Sequence, residues 1–162
     1  MRIGIIGDTH SDEQSFLNVI NKLNFLKVDL VIHTGDWSSV SMLSHCENLK
    51  CEVYSVFGNC DVYYIDSMNE SPFVKFFSPI LSIEKDGIMI GAYHGHDERY
   101  LKELLNSNKF DVFFSGNTHI ARLEKIGKTL HVNPGSVSQP RAGGKSYAVF
   151  DTATKKAEIY SL

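Results

Sequence analysis

Seven side chains able to bind a divalent cation follow short apolar runs. Asp8 and His10 come after Ile3 to Ile6, Asp36 after Leu30 to His33, and Asn59 after Val53 to Phe57. His94 ends the run Ile88 to Tyr93, and Asn117 and His119 come after Val112 to Phe114. Carboxylate and imidazole together suit Mn²⁺, Fe, Zn²⁺ or Ni²⁺. The cysteines Cys46, Cys51 and Cys60 contain no C-x-x-C pair, which argues against a structural thiolate zinc site. A carboxylate shared by two cations about 3.5 to 4 Å apart, flanked by His, Asp and Asn, clamps both the attacking and the leaving oxygen of a phosphate in binuclear hydrolases. The donor set therefore points to phosphate ester hydrolysis.

Groups spread from Asp8 to His119 can meet only if the chain returns repeatedly to one place. In α/β sheets that place is the crevice beyond the carboxyl ends of the strands. Glycines precede several of the donors (Gly7, Gly35, Gly58, Gly116), which suits tight turns close to a ligand. The first half of the chain reads βαβαβ. Ser11 with Gln14 predicts a capped helix carrying Phe16, Val19, Ile20, Leu23 and Leu26 on one face. Serine-rich Ser38 to Ser44 predicts a second, shorter helix.

Beyond residue 73 the hydrophobic periodicity predicts strands at 80–84, 88–93, 112–114, 121–126, 129–132, 147–150 and 157–160. Asp86-Gly87 and Gly127-Lys128 serve as hairpin turns, and a helix is expected from Asp97 to Asn106. A parallel half joined to hairpins predicts an α/β fold: two mixed β-sheets packed face to face and flanked by helices.

Composition supports this. The 162 residues suit one domain, 1–162, and 43% hydrophobic with 22% charged residues exclude disorder, coiled coil and collagen. A net charge of −3 leaves no strong nucleic-acid footprint. The apolar N-terminal run reaches Asp8 too soon for a signal peptide or membrane span, so a cytoplasmic location with reduced thiols, and no membrane partner, is expected.

Asp8-Thr9-His10, Gly35-Asp36, Gly58-Asn59-Cys60-Asp61, His94-Gly95-His96 and Gly116-Asn117-Thr118-His119 resemble, in order and spacing, the motifs of calcineurin-like metallophosphoesterases. The short chain and the Asn133-Pro134-Gly135-Ser136 turn are similar to the compact YfcE-type phosphodiesterase branch. The resemblance covers roughly residues 1 to 150. It implies the four-layer sandwich of that family and two divalent ions, with Mn favoured and Ni, Fe, Zn or Mg as alternatives. It also implies roles: Asp8, His10 and His119 hold one ion, Asp36 bridges both, and Asn59 and His94 hold the second. A hydroxide bridging the metals would attack a small phosphate ester, most readily a diester, with Asp36, Asn59 and His96 forming the catalytic set.

Two positions depart from the family. Asn117 stands where the family has the first His of Gly-His-x-His, and an amide oxygen is the weaker donor, so the second ion is expected to bind more loosely. Cys60 stands where many relatives carry a His that assists the leaving oxygen. With reference pKa about 8.5, a thiol is a poor substitute, and esters with acidic leaving groups such as aryl phosphates are expected to be favoured.

His96 has two readings, substrate contact or support of the ligands. Arg141 is either a phosphate contact or a solvated loop residue. His33, His45 and His131 read as structural, Ser136 as a turn residue, and Trp37, Tyr63 and Tyr64 either as packing, the favoured reading, or as lining of the pocket entrance. Phe73, Phe76 and Phe77 leave open an interface, and thus a homo-oligomer, or a place in the core. Asn117 keeps a rival alive, a non-catalytic scaffold like the small retromer subunit, or a disabled variant.

Overall fold

In the computed structural model, which describes residues 1–162, the central strands bury alternate residues into two different layers. In β1 (Arg2–Ile6), Ile3 and Ile5 face a second sheet while Ile6 faces a helix. Strands β2 (Leu30–His33) and β3 (Glu52–Val56) repeat the pattern: Leu30, Ile32, Tyr54 and Val56 point between the sheets, Val31 and Val53 outward. Apolar cover on both faces explains why these strands read as continuous hydrophobic runs.

The first sheet also takes in β4 (Lys75–Phe77) and two strands near the end of the chain, β10 (Ser146–Asp151) and β11 (Lys156–Ser161). Its order is β11-β10-β1-β2-β3-β4. Strands β1 to β4 run parallel, and β10 returns antiparallel beside β1, setting Ile5 against Ile32 on one side and Ala148 on the other.

The second sheet contains β5 (Leu81–Lys85), β6 (Ile88–Ala92), β7 (Val112–Phe114), β8 (Arg122–Ile126) and β9 (Thr129–Asn133), in the order β5-β6-β7-β9-β8. Asp86 and Gly87, both at positive φ, close the β5–β6 hairpin as expected for that dipeptide. Ile90, Ala92, Val112, Phe114 and Val132 meet the first sheet to form the inner core.

Two helices complete the layers. Helix α1 (Glu13–Phe25) covers the first sheet with Phe16, Val19, Ile20 and Leu23, each at most 1% exposed. Burying each is worth about 1.5–3 kcal/mol. A Cβ on Gly4 would lie 2.7 Å from the Leu23 side chain, so glycine there lets the helix sit close. After a short helix α2 (Ile65–Asn69), helix α3 (Glu98–Asn106) covers the second sheet, with Leu105 packed among Tyr93, Phe110 and Phe113. The resulting helix–sheet–sheet–helix order is the expected architecture.

Two local expectations need correction, and one open alternative is decided. The cap of α1 is Asp12, not Ser11: its carboxylate accepts from Ser15 N at 3.1 Å and from Lys145 Nζ at 2.8 Å, while Ser11 turns away at φ 59°. The serine-rich segment forms a 3₁₀ helix, Val40–Asn48. Its hydroxyls bond locally, Ser44 Oγ donating to the Ser41 carbonyl and Ser39 Oγ accepting from Ser41 N, which competes with α-helical pairing. Finally, Phe76 and Phe77 belong to the core: Phe76 stacks on Phe57 at 4.5 Å, and Phe77 leans on Tyr54 at 5.3 Å. Phe73 remains 39% exposed.

Candidate metal centre

The loops after β1, β2, β3, β6 and β7 meet beyond the strand ends. Asp8, His10, Asp36, Asn117 and His119 all hold φ between 43° and 64°. Left-handed backbone is uncommon for residues other than glycine and gathers where function over-determines it. Here the loops hold one another: Asp8 N donates to the Gly35 carbonyl at 3.0 Å and His10 N to the Asp36 carbonyl at 3.1 Å. A Cβ on Gly116 would lie 2.8 Å from Asp8 Oδ2, so that loop can approach the carboxylate only as glycine.

One group of donors is tight. Ligand atoms of Asp8, His10, Asp36 and His119 all lie within 4.8 Å of one another, and this group can hold a metal ion. His119 Nδ1 bonds the Gln139 carbonyl at 2.7 Å and His10 Nδ1 bonds Ser38 Oγ at 3.1 Å. With both Nδ1 atoms so engaged, the Nε2 atoms face each other at 3.2 Å. Lone pairs converging beside two carboxylates fit a cation, and the Nδ1 bonds fix the ring orientation that ligation requires.

Asp36 joins this group to a second. Its Oδ2 lies 3.8 Å from His10 Nε2 and 3.4 Å from His94 Nε2, while Oδ1 accepts from Cys60 N at 2.8 Å. His94, fully buried, bonds the Thr34 carbonyl through Nδ1 at 2.8 Å, which turns Nε2 toward Asn59 Oδ1 at 3.1 Å. Asn59 itself is exposed. Burial alone would raise the Asp36 pKa, but the hydrogen bonds and charge of His94 and the Cys60 N–H outweigh it and hold the carboxyl far below its ordinary range. Burial alone would lower His94, and Asp36 overrides that as well, raising it. At Cys60, burial and the Asp36 charge push the thiol up to about 11, which leaves it protonated.

Asn117 meets the centre through its backbone. Its backbone N–H donates to both oxygens of Asp8, at 3.1 and 3.2 Å, and its amide makes no hydrogen bond. His96 does not follow strand alternation, because β6 ends at Ala92 and Gly95 turns at φ 104°. Its ring nevertheless stands 5.7 Å from that of His94, with Nε2 3.3 Å from Tyr93 Oη. Arg141 is exposed and tied to the site through its backbone, donating to the His119 carbonyl at 3.1 Å.

Residues 1–155 match the calcineurin-like phosphoesterase superfamily domain. The chain belongs to that superfamily. It is 29% identical to phosphodiesterase MJ0936 of Methanocaldococcus jannaschii over 96% of each chain. The solved structure of an archaeal phosphodiesterase superposes with a TM-score of 0.86 at 28% identity, covering 100% of both chains. At 20% identity the fold alone is shared with the YfcE phosphoesterase of E. coli (TM-score 0.76, 99% of each chain). The same holds for Vps29 of Entamoeba histolytica solved with Zn²⁺ (TM-score 0.69, 99% of this chain and 91% of that one).

Three supports of this phosphoesterase centre were not foreseen. Asp61 is fully buried and accepts from the backbone N–H groups of Asp36, Ser38 and Gly58 at 2.8–2.9 Å, bracing the loops after β2 and β3. Ser136 and Ser138 donate to the Asp8 carbonyl at 2.8 and 2.9 Å. Asn133 Nδ2 donates to the Gly116 carbonyl and Thr118 Oγ1, at 2.8 and 3.1 Å, and so shapes the loop that carries His119. The only signal available was that the Asp61 and Asn133 motifs recur in the family pattern.

Of the remaining histidines, His33 stacks on fully buried Trp37 at 3.7 Å, and His45 lies 3.3 Å from Glu13. His131 bridges Ser115 Oγ at 2.8 Å and Glu124 at 3.0 Å. That last trio has the spacing of a nucleophilic triad. However, Ser115 N donates to the Val132 carbonyl and Gly116 N to the His94 carbonyl, so neither N–H is left for an oxyanion. Tyr63 does not pack; it is 91% exposed. No helix is long and apolar enough to cross a membrane.

Proposed function

We propose that residues 1–162 act as one unit, a metal-dependent phosphodiesterase that hydrolyses a small phosphate ester at a pair of divalent cations, Mn²⁺ by preference. The reading rests above all on the convergence of Asp8, His10, Asp36 and His119, with His94, and Asn59 beside it, at the same Asp36 carboxylate. Asp8, His10 and His119 would hold one ion, Asn59 and His94 the other, and Asp36 both. When bound, such a pair lowers the pKa of water from 15.7 toward about 7 and neutralises phosphate charge.

The chain's own work is positioning. The Nδ1 bonds of His94 and His119 aim their Nε2 atoms, and Cys60 N together with Asp61 fixes Asp36. Asn117 can offer the second ion only an amide oxygen, so that ion is the first lost on dialysis. His96 would meet substrate beside Asn59, and Arg141 would meet phosphate beside His119. With a protonated thiol at Cys60 rather than an imidazole, little protonates the leaving oxygen, and aryl esters should outpace alkyl ones.

The rival scaffold or disabled variant is favoured only by Asn117. Hydrolysis of bis(p-nitrophenyl) phosphate with added Mn²⁺, abolished by chelator and by Asp36→Asn, is the expected result. No turnover with any divalent metal would favour the scaffold.

A further inference from the structure

The Asn59 side of the centre opens into a cavity of about 440 Å³ walled by Phe57, Val62, Ile65, Pro79, Tyr93 and Tyr100. Its volume falls within the range of about 300–1,000 Å³ typical of small-molecule sites. Asn59 and His96 also line it, so it is continuous with the donors assigned to the second ion. No Asp, Glu, Lys or Arg contributes to its lining.

The walls are held from behind. Phe57 stacks face to face on Phe76, their planes 7° apart, and Tyr93 meets Tyr100 edge to face at 5.2 Å. Tyr93 Oη accepts from Asp97 N at 3.2 Å, which pins its ring to the start of α3. Val62 is 56% exposed, an apolar side chain at the rim with room for something apolar to cover it. A charged or heavily hydrated substituent would lose water here with no ionic partner in return, whereas a flat apolar group would gain contact with aromatic faces and edges.

Resting on the phosphoesterase reading, we propose that this cavity is a substrate subsite taking an uncharged aromatic substituent of one or two rings. The substrate class is thus aromatic phosphate esters, anchored by phosphate at the cations and by the ring against Val62 and Tyr100.

Phosphonates test this without turnover, so leaving-group acidity plays no part. Phenylphosphonate and methylphosphonate would be titrated into the Mg²⁺-supplied protein by NMR, and compared as inhibitors of bis(p-nitrophenyl) phosphate hydrolysis. Phenylphosphonate should bind about tenfold more tightly, the equivalent of a partly buried ring, and shift Val62, Tyr93 and Tyr100. Tyr100→Ala and the rim variant Val62→Asp should each remove most of that advantage while leaving methylphosphonate binding within about twofold. Equal affinity for the two ligands, or variants that weaken both alike, would overturn the subsite. Ring-dependent shifts in a protein with no turnover would instead leave the subsite standing and refute the hydrolase reading.

Discussion

The two ends of the metal centre are built to different standards. Around Asp8, His10 and His119 the donors are buried or nearly so, their backbone is locked at positive φ, and Ser136, Ser138 and Asn133 brace the loops from outside. At the other end only His94 is comparably fixed: Asn59 is exposed, and the Asn117 amide has no hydrogen-bond partner. Preorganised donors cost less to order on binding. On the proposed two-cation reading, one ion should therefore stay while the other comes and goes, and Asp36, gripped by Cys60 N and contacting histidines of both groups, would link them.

Removing a donor from each end is the harshest test of this asymmetry. His119→Ala should lower kcat/KM by on the order of 10²–10³-fold and strip the ion that survives dialysis. Asn59→Ala should impair turnover but leave that ion in place, as metal counting by mass spectrometry would show. Next in size is the brace shared by both ends. Asp61→Ala leaves the N–H groups of Asp36, Ser38 and Gly58 unpaired and should cost about 1–3 kcal/mol in denaturant unfolding for each of the two that are buried.

Asn117→His sharpens the comparison by strengthening the weak end. It should lower the Mn²⁺ concentration needed for half-maximal rate by about tenfold; an unchanged requirement would mean that the amide is not what limits the second ion. The smallest effect lies outside the centre. Burial of Asp12 tends to raise its pKa, but Lys145 and Ser15 outweigh it and lower it. Its contribution is thus present above the ordinary value of 3.8 and fades as pH falls through the depressed one. Asp12→Ala should cost about 1 kcal/mol at pH 7 and less at pH 3, measured as thermal unfolding, with no change in metal content.

Much of this centre was legible because its donors sit directly after strands buried on both faces. Runs such as Ile3–Ile6 and Leu30–His33 mark strand ends as well as strands, and strand ends are where such sheets bind ligands. What could not be read lies in groups whose role depends on tertiary approach. Every residue but proline has a backbone N–H, so nothing distinguished Asn117 as the donor to Asp8. Nothing in the sequence marks Asp61 as the acceptor of three backbone amides from two loops. Strand β4 and helix α2 are short segments ordered by packing rather than by periodicity, and they help build the aromatic cavity that composition did not suggest.

The most direct measurement is anomalous diffraction from crystals grown with Mn²⁺. Two peaks about 3.5–4 Å apart should flank the Asp36 carboxylate, the fuller one among Asp8, His10 and His119 and the weaker one between Asn59 and His94. A single ion lying away from Asp36, or the fuller peak on the Asn59 side, would contradict the bridged and unequal pair.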